Sequence, residues 1–219
     1  MRNVILFLIL ILSARIPAQT RGPGPRYVLL QPAGITKDSI FTRVKNDLRF
    51  IQLKARDTVA DIGSYDGYYP CMYSLFSDSV TFYLNDITGE AFTGLDSMKV
   101  ICSGKRGKGI TNTFQVTIGN DSCTNLPDHF FGKVVLRDAL HHFANPDKML
   151  ADVKRIMKPG AELILFETIK DNGGSNPHLC KGAMTKDELI KLMRLNKFKL
   201  KRELALPGNN YWFEFSIKK

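Results

Sequence analysis

The stretch that decides the fold reads Thr-Val-Ala-Asp-Ile-Gly-Ser-Tyr-Asp-Gly and occupies residues 58–67. Its first half is an apolar run that predicts a buried strand, with Asp61 near the strand's end. Gly63 and Gly67 follow, and glycines at such a turn let the backbone approach a ligand closely. A helix is expected from residue 68 onward, and the free N–H groups at its start can bind a negatively charged group. The stretch therefore predicts a strand, a glycine turn and a helix whose start faces such a group.

Four further apolar runs extend this pattern along the chain. They occupy residues 80–84, 114–118, 134–136 and 163–166. Continuous apolar runs, without alternation, indicate strands that are covered on both faces, which is typical of a parallel sheet. Residues 198–206 and 211–217 form two more runs whose short connection requires an antiparallel hairpin. The predicted fold is α/β, a doubly wound and mostly parallel sheet of seven strands that ends in an antiparallel hairpin.

The clearest helix signal lies before the fifth strand. Asn145 is placed as its N-cap and Pro146 as its first residue, with Pro159 and Gly160 expected to stop it. Apolar residues from Met149 to Met157 recur at helical spacing.

Two other helices are predicted. Residues 39–50 have helical apolar spacing, and Thr185 with Glu188 has the spacing of a capping box. Residues 86–113 contain five glycines and give no clear helix signal.

Composition excludes several classes of protein. The chain has 219 residues, of which 44% are hydrophobic and 24% charged, and these values exclude disorder, collagen and coiled coil. The net charge of +10 is spread over separate local clusters without a known nucleic-acid module, so no specific nucleic-acid partner is expected. Four cysteines without a CxxC pair indicate neither a zinc ribbon nor a disulfide scaffold, and their pairing is left open. No metal site is predicted.

The N-terminus has the pattern of a targeting segment. Residues 4–12 are an unbroken apolar run behind Arg2, too short to span a bilayer but typical of a secretory signal. We expect a signal peptide at residues 1–18, a connector at 19–37 and one domain at 38–219, hence a periplasmic or secreted protein without a membrane span. Because Ile16 is large for its place before the cut at Ala18, an uncleaved membrane anchor is the alternative.

A second acid follows the glycine turn at a suggestive distance. Asp86 comes nineteen residues after Gly67 and ends the second strand, where a carboxylate can accept both hydroxyls of a ribose. The G-x-G-x-x-G turn of a dinucleotide site is missing. By itself, this spacing does not identify the ligand.

From about Asp57 to Lys219 the chain resembles the class I S-adenosylmethionine-dependent methyltransferases, in particular their small-molecule methyltransferase-domain branch. The resemblance is carried by 59–67, Asn85-Asp86, Leu126-Pro127-Asp128 with Phe131, Leu140-His141-His142-Phe143, Asn145-Pro146, and Leu150 through Gly160. The family's Rossmann-like sheet also closes with a hairpin. One departure is Tyr65, which stands where the family often has glycine.

The resemblance implies S-adenosylmethionine as the cofactor and assigns it a set of contacts. The residues expected at its methionine end are Asp61, Gly63, Ser64 and Gly67. Asp86 and Ile87 are expected at the ribose and adenine edge, with Asn120 or Asp121 near the adenine amino group. Arg137 and Asp138 would border the transferable methyl group, and Asp138 and His142 are the candidate catalytic residues.

Several alternatives stay open at this point. His142 is either a general base or a structural histidine, and the small-molecule acceptor and the oligomeric state are not identified. The chain could also be an exported, inactive protein of this fold that binds an adenosine-like ligand, or an aminopropyl-transferring enzyme. Asn120 begins a formal glycosylation site, but a sugar there would block the expected pocket.

Overall fold

The computed structural model describes residues 37–170 and 182–218. The predicted signal peptide and nearly all of the predicted connector lie outside the described residues, so both stay predictions. The domain's first helix begins at Lys37, one residue before the expected boundary. Within the described ranges, no helix combines the length and the apolar character that a membrane span requires.

The described chain forms five α-helices and seven strands. In chain order they are α1 (Lys37–Ile51), β1 (Thr58–Ile62), α2 (Tyr68–Tyr73), β2 (Thr81–Asp86), α3 (Leu95–Arg106), β3 (Thr113–Ile118), β4 (Phe131–Arg137), α4 (Pro146–Ile156), β5 (Met157–Thr168), α5 (Lys186–Leu195), β6 (Phe198–Leu206) and β7 (Asn210–Ile217). Short 3-10 turns at Glu90–Gly94 and Leu140–His142 complete the set.

The strands form one sheet in the order β3-β2-β1-β4-β5-β7-β6. The first five are mutually parallel, whereas β7 runs antiparallel to both β5 and β6. The predicted seven-stranded, mostly parallel sheet with a terminal hairpin is confirmed. Ile62 pairs with Asn85 on one side and Leu136 on the other, so the carboxyl ends of β1, β2 and β4 meet at one edge. This is the switch point where α/β sheets bind ligands.

Apolar side chains cover both faces of the sheet. One core cluster contains Val134, Leu136 and Leu163, and the other contains Val135 and Ile164, all five of them buried residues of β4 and β5. The central strands therefore contribute apolar side chains in both directions, which explains their continuous apolar runs.

The helix ends differ in part from the predictions. The capping box of Thr185 and Glu188 is confirmed. The prediction that Pro159 and Gly160 stop α4 was wrong, because the backbone is already extended at Met157, where β5 begins and pairs with Phe131. Pro159 and Gly160 instead lie in a register shift of β5, where Gly160 has a φ of 81°.

Two other details depart from the sequence expectations. The side chain of Asn145 makes no capping hydrogen bond, although Pro146 does occupy the first turn and the Asn145 carbonyl accepts the Met149 N–H at 3.0 Å. Helix α3 forms within the stretch that gave no helix signal, and Gly107 ends it in the left-handed conformation. Cys71, Cys102 and Cys123 are free thiols, whereas Cys180 lies outside the described residues.

Helix α1 is fixed to the sheet by a buried ion pair. Asp47 accepts hydrogen bonds from the Arg137 guanidinium at 2.9 Å and from the Trp212 indole at 3.2 Å. Arg137 ends β4 and Trp212 lies on β7, so one carboxylate ties the helix to two strands. Burial raises the pKa of Asp47, and the Arg137 charge opposes that rise. The contact places α1 beside the edge where the strands end.

Candidate active site

A cavity of about 440 Å³ opens at the carboxyl ends of the parallel strands. Its walls come from the loops that follow β1, β2, β3 and β4. Ten of the eleven predicted site residues line it: Asp61, Gly63, Ser64, Asp86, Ile87, Asn120, Asp121, Arg137, Asp138 and His142. The tyrosines at 65, 68 and 69 are also in its wall. Residues that are far apart in sequence therefore share one concave site.

Gly63 begins the turn after β1. Its φ is 71°, and its N–H donates to the Asn85 carbonyl at 2.9 Å. A Cβ at this position would lie 2.6 Å from the Cβ of Ala139. Only glycine suits both the left-handed backbone and the close approach of the β4 loop, so this position keeps the turn open.

Gly67 is the predicted site residue that does not line the cavity. It has a φ of 75°, and an added Cβ would lie 2.8 Å from the Leu84 side chain and 3.1 Å from that of Leu95. Gly67 therefore lets α2 pack against the core. The expected ligand-facing helix is also short, since α2 covers only residues 68–73.

Tyr65 keeps the backbone shape of the glycine that it replaces. Its φ is 54°, in the left-handed region, and its side chain is 46% exposed. Its N–H donates to the Asp86 carboxylate at 2.8 Å, which helps to hold a conformation that is costly for a residue with a side chain.

Asp61 places a buried carboxylate in the cavity wall. It is 6% exposed, and the Ser64 hydroxyl donates to it at 2.6 Å. Burial raises its pKa to about 6, while the Ser64 hydrogen bond and the Arg137 charge oppose the rise. At neutral pH the Asp61 carboxylate is mostly ionised, although burial makes its charge unfavourable in free energy. A ligand cation such as an ammonium group would offset this unfavourable free energy.

Asp86 joins two loops of the site. One carboxylate oxygen accepts the Tyr65 N–H at 2.8 Å, and the other accepts the Ile87 N–H at 2.7 Å. Each oxygen has a second lone pair that can accept a hydroxyl proton. Sequence reasoning found the acid but missed its role in holding the β1 turn against the end of β2.

The turn after β3 forms another part of the wall. The Asn120 side chain accepts the Ser122 N–H at 2.9 Å, and the Asn120 N–H donates to the Cys123 carbonyl at 2.7 Å. The side-chain oxygen of Asn120 thus helps to hold this turn in shape. Asp121 and Ile87 are exposed at the cavity's rim.

Arg137 and Asp138 end β4 inside the site. The Arg137 guanidinium lies 3.7 Å from the ring centre of Tyr69 and 4.2 Å from that of Phe166. Its charge is balanced by Asp47, so it forms a rigid aromatic and cationic floor. Asp138 has a φ of 50°, and its N–H donates to the Phe166 carbonyl at 2.9 Å.

His142 lines the cavity from an exposed position in the short turn after β4. Its ring centre is 4.0 Å from that of His141, and His141 Nδ1 is 2.5 Å from the carboxylate of Glu167. Burial lowers the pKa of His142, the neighbouring His141 lowers it further, and Glu167 raises it. Sequence reasoning missed Glu167. Its place near the end of β5, at the same edge as the other site residues, is the signal that could have found it.

The donor set fits an amino-acid nucleoside and no metal ion. Within residues 37–170 and 182–218, no cluster of three or more candidate ligand side chains could hold a metal. The buried Asp61 carboxylate suits an ammonium group, and Asp86 suits a ribose diol. These features match the parts of S-adenosylmethionine.

Comparison with known proteins gives one family and two kinds of relatives. The family described as "Methyltransferase domain" matches residues 77–165. A ubiquinone/menaquinone biosynthesis C-methyltransferase, UbiE of Hydrogenovibrio crunogenus, is 33% identical over 63 residues, which are 29% of this chain and 25% of that protein. The chain thus aligns with about a quarter of the length of such curated relatives.

Solved structures show the same fold over most of the chain. A SAM-dependent methyltransferase from Aquifex aeolicus has a TM-score of 0.62 at 20% identity and covers 80% of this chain and 89% of its own. The [4+2]-cyclase SpnF has a TM-score of 0.61 at 15% identity and covers 82% of this chain and 65% of its own. The second protein is named as a cyclase, so the fold alone does not determine the reaction.

Residues 77–165 match the methyltransferase-domain family, and the sheet has the fold of the related S-adenosylmethionine-dependent methyltransferase structure. The resemblance seen in the sequence is confirmed. The matched domain and the fold imply S-adenosylmethionine as the cofactor.

Proposed function

We propose that the protein transfers a methyl group from S-adenosylmethionine to a small-molecule acceptor in the cavity at the β1, β2 and β4 ends. The observation that carries the proposal is the convergence of Asp61, Gly63 and Asp86 on one cavity beside the exposed imidazole of His142. The first three suit the cofactor's parts, and the histidine lies where an acceptor can enter.

Different residues of the cavity bind different parts of the cofactor. Asp61 takes the cofactor's ammonium group, which neutralises the buried carboxylate. Asp86 accepts the ribose hydroxyls while it keeps its two backbone N–H donors, and Ile87, Asn120 and Asp121 border the adenine. When bound, S-adenosylmethionine supplies a sulfonium methyl group that an acceptor lone pair attacks as the carbon–sulfur bond breaks onto sulfur.

The remaining wall orients the acceptor. Tyr69 and Arg137 form a flat floor, and Asp138 and His142 border the methyl end. Positioning is the main contribution, because a sulfonium is an excellent leaving group and needs little further activation. For a hydroxyl or amine acceptor, His142 takes the proton, since its lowered pKa leaves it mostly neutral at pH 7.

A transfer assay tests the reaction. The protein is incubated with methyl-labelled S-adenosylmethionine and a panel of phenols, amines and quinols, the last because the relatives are named ubiquinone/menaquinone biosynthesis C-methyltransferases. We expect labelled product and S-adenosylhomocysteine from at least one member. For a hydroxyl or amine acceptor, His142→Ala should lower the turnover number by about 10²-fold with unchanged cofactor affinity. Cofactor binding without transfer to any acceptor would favour an inactive adenosine-binding protein.

Export is part of the proposal, and it rests on the apolar run at residues 4–12. Cleavage after Ala18 would release a chain that begins at Gln19. N-terminal sequencing of the protein, expressed with its own N-terminus, tests this. Intact Met1 in the membrane fraction would indicate an anchor, and intact Met1 in the cytosol would contradict export.

A further inference from the structure

Behind the cavity wall, a buried carboxylate and an imidazole form a close pair. Glu167 is 2% exposed at its side chain and His141 is 7% exposed, and their facing atoms are 2.5 Å apart. The second oxygen of Glu167 accepts the Leu140 N–H at 2.9 Å. The carboxylate therefore holds both the ring of His141 and the backbone of the turn that carries it.

Neither member of this pair is placed on the cavity, whereas His142 is. The two histidine rings lie 4.0 Å apart at an angle of 46°, so the position of His141 limits that of His142. The chain at Gly182 packs against the same turn, where an added Cβ would come within 2.0 Å of the His141 carbonyl oxygen. His141 is thus held from two sides while it supports the ring that faces the acceptor.

We propose that Glu167 and His141 are positioning residues that hold His142 in place as a neutral proton acceptor. This inference rests on the proposed function, since it gives the base of that reaction its support. The acceptor's O–H or N–H bond breaks as its lone pair attacks the methyl carbon, the proton passes to a ring nitrogen of His142, and water removes it after transfer.

The charges near His142 explain why its imidazole stays neutral. A positive charge on His141, whose ring centre lies 4.0 Å away, disfavours a proton on His142. Burial and His141 both lower the pKa of His142, and the Glu167 charge raises it. The other charged groups that line the same cavity are Asp61, Asp66, Asp86, Asp121, Arg137 and Asp138, and Tyr65, Tyr68 and Tyr69 are further ionisable groups in its wall.

The test is an NMR titration of the histidine side chains in the ligand-free protein. The chain has four histidines, so the His142 signal is assigned by its loss in His142→Gln. We expect the wild-type His142 to titrate below pH 6.5, its ordinary value. In His141→Gln, which removes the charge but keeps an amide that can bond to Glu167, the midpoint should rise by about half a unit or more.

His129 serves as an internal control. It lies before β4 with its ring near the Met157 carbonyl, and its midpoint should not change in His141→Gln. Glu167→Gln is the second variant, and because it removes the charge that raises the pKa of His142, it should move the His142 midpoint in the opposite direction, downward. A merely structural pair would lower the melting temperature of both variants without moving the His142 midpoint.

An unchanged His142 midpoint in a folded His141→Gln protein overturns the inference. If that variant does not fold, Glu167→Gln decides: a His142 midpoint that falls supports the inference, and an unchanged midpoint overturns it. Failure of the proposed function is separate, because it appears as absent S-adenosylmethionine binding, whereas the titration needs neither cofactor nor acceptor.

Discussion

Asp61 bears its charge where the fold makes ionisation costly. The carboxylate is buried at the end of β1, with one hydroxyl donor and no cation in direct hydrogen-bond contact among its described partners. Ordinary sequence reasoning finds an acid near a glycine turn. It cannot find the rise in pKa, because that depends on burial by distant segments. At this scale the site is built for binding at some expense of stability.

The first prediction follows from that pKa. Folding raises it from 3.8 to about 6, so the folded state binds more protons than the unfolded state between these values. The free energy of unfolding therefore falls as pH rises through that window. Asp61→Asn should make the ligand-free protein about 1 to 3 kcal/mol more stable at pH 7. The difference should disappear below pH 4, and cofactor affinity should fall.

Urea unfolding of both proteins at several pH values checks this. Asparagine can still accept the Ser64 hydroxyl, so the substitution changes the charge and little else. A variant that is less stable than the wild type at pH 7 would contradict the assignment of Asp61 as a strained binding group.

The turns and helices around the site set its shape through close contacts. The β1 turn needs glycine at 63 because of the β4 loop, and α1 needs Asp47 because of Arg137 on β4. The glycine was recognised from the strand before it and the helix after it. The ion pair was not, because its partners are 90 residues apart and nothing local in the sequence joins them.

The second prediction concerns the glycine turn. Gly63→Val would bring a side chain against Ala139 and strain a backbone with a φ of 71°, so cofactor binding should be lost while the sheet still forms. Gly132→Val is the matched control, since Gly132 lies in β4 with nothing within 4 Å of an added Cβ. Circular dichroism and calorimetry measure both variants. Tight cofactor binding by Gly63→Val would remove the turn from the site.

The third prediction concerns the anchor of α1. Asp47→Ala leaves the buried Arg137 without its partner and should destabilise the protein by about 3 to 5 kcal/mol in urea unfolding. Asp96→Ala breaks an ion pair with Lys99 on the surface and should cost less than about 1 kcal/mol. Equal losses in the two variants would show that the Arg137 pair does not hold the helix.

Across the whole molecule, the strand order creates the site. The chain turns to β2 and β3 on one side of β1 and to β4 and β5 on the other, which leaves a crevice at their carboxyl ends. The apolar runs and the short hairpin connection were enough to predict a seven-stranded, mostly parallel sheet with a terminal hairpin. The extent of β5 was not, because Pro159 and Gly160 are typical of a helix end and here lie in a bulge. The identity of the acceptor could not be predicted either, because it depends on loops, and loops carry no periodic sequence signal.

The most direct test of the central claim is calorimetric titration of the purified, ligand-free protein with S-adenosylmethionine and S-adenosylhomocysteine. We expect both to bind at one site with dissociation constants around the micromolar range, which corresponds to a binding free energy of about −8 kcal/mol. It also predicts that Asp86→Ala weakens both by roughly 1.5 to 3 kcal/mol through lost hydrogen bonds to a charged group. A folded protein that binds neither compound would contradict the account.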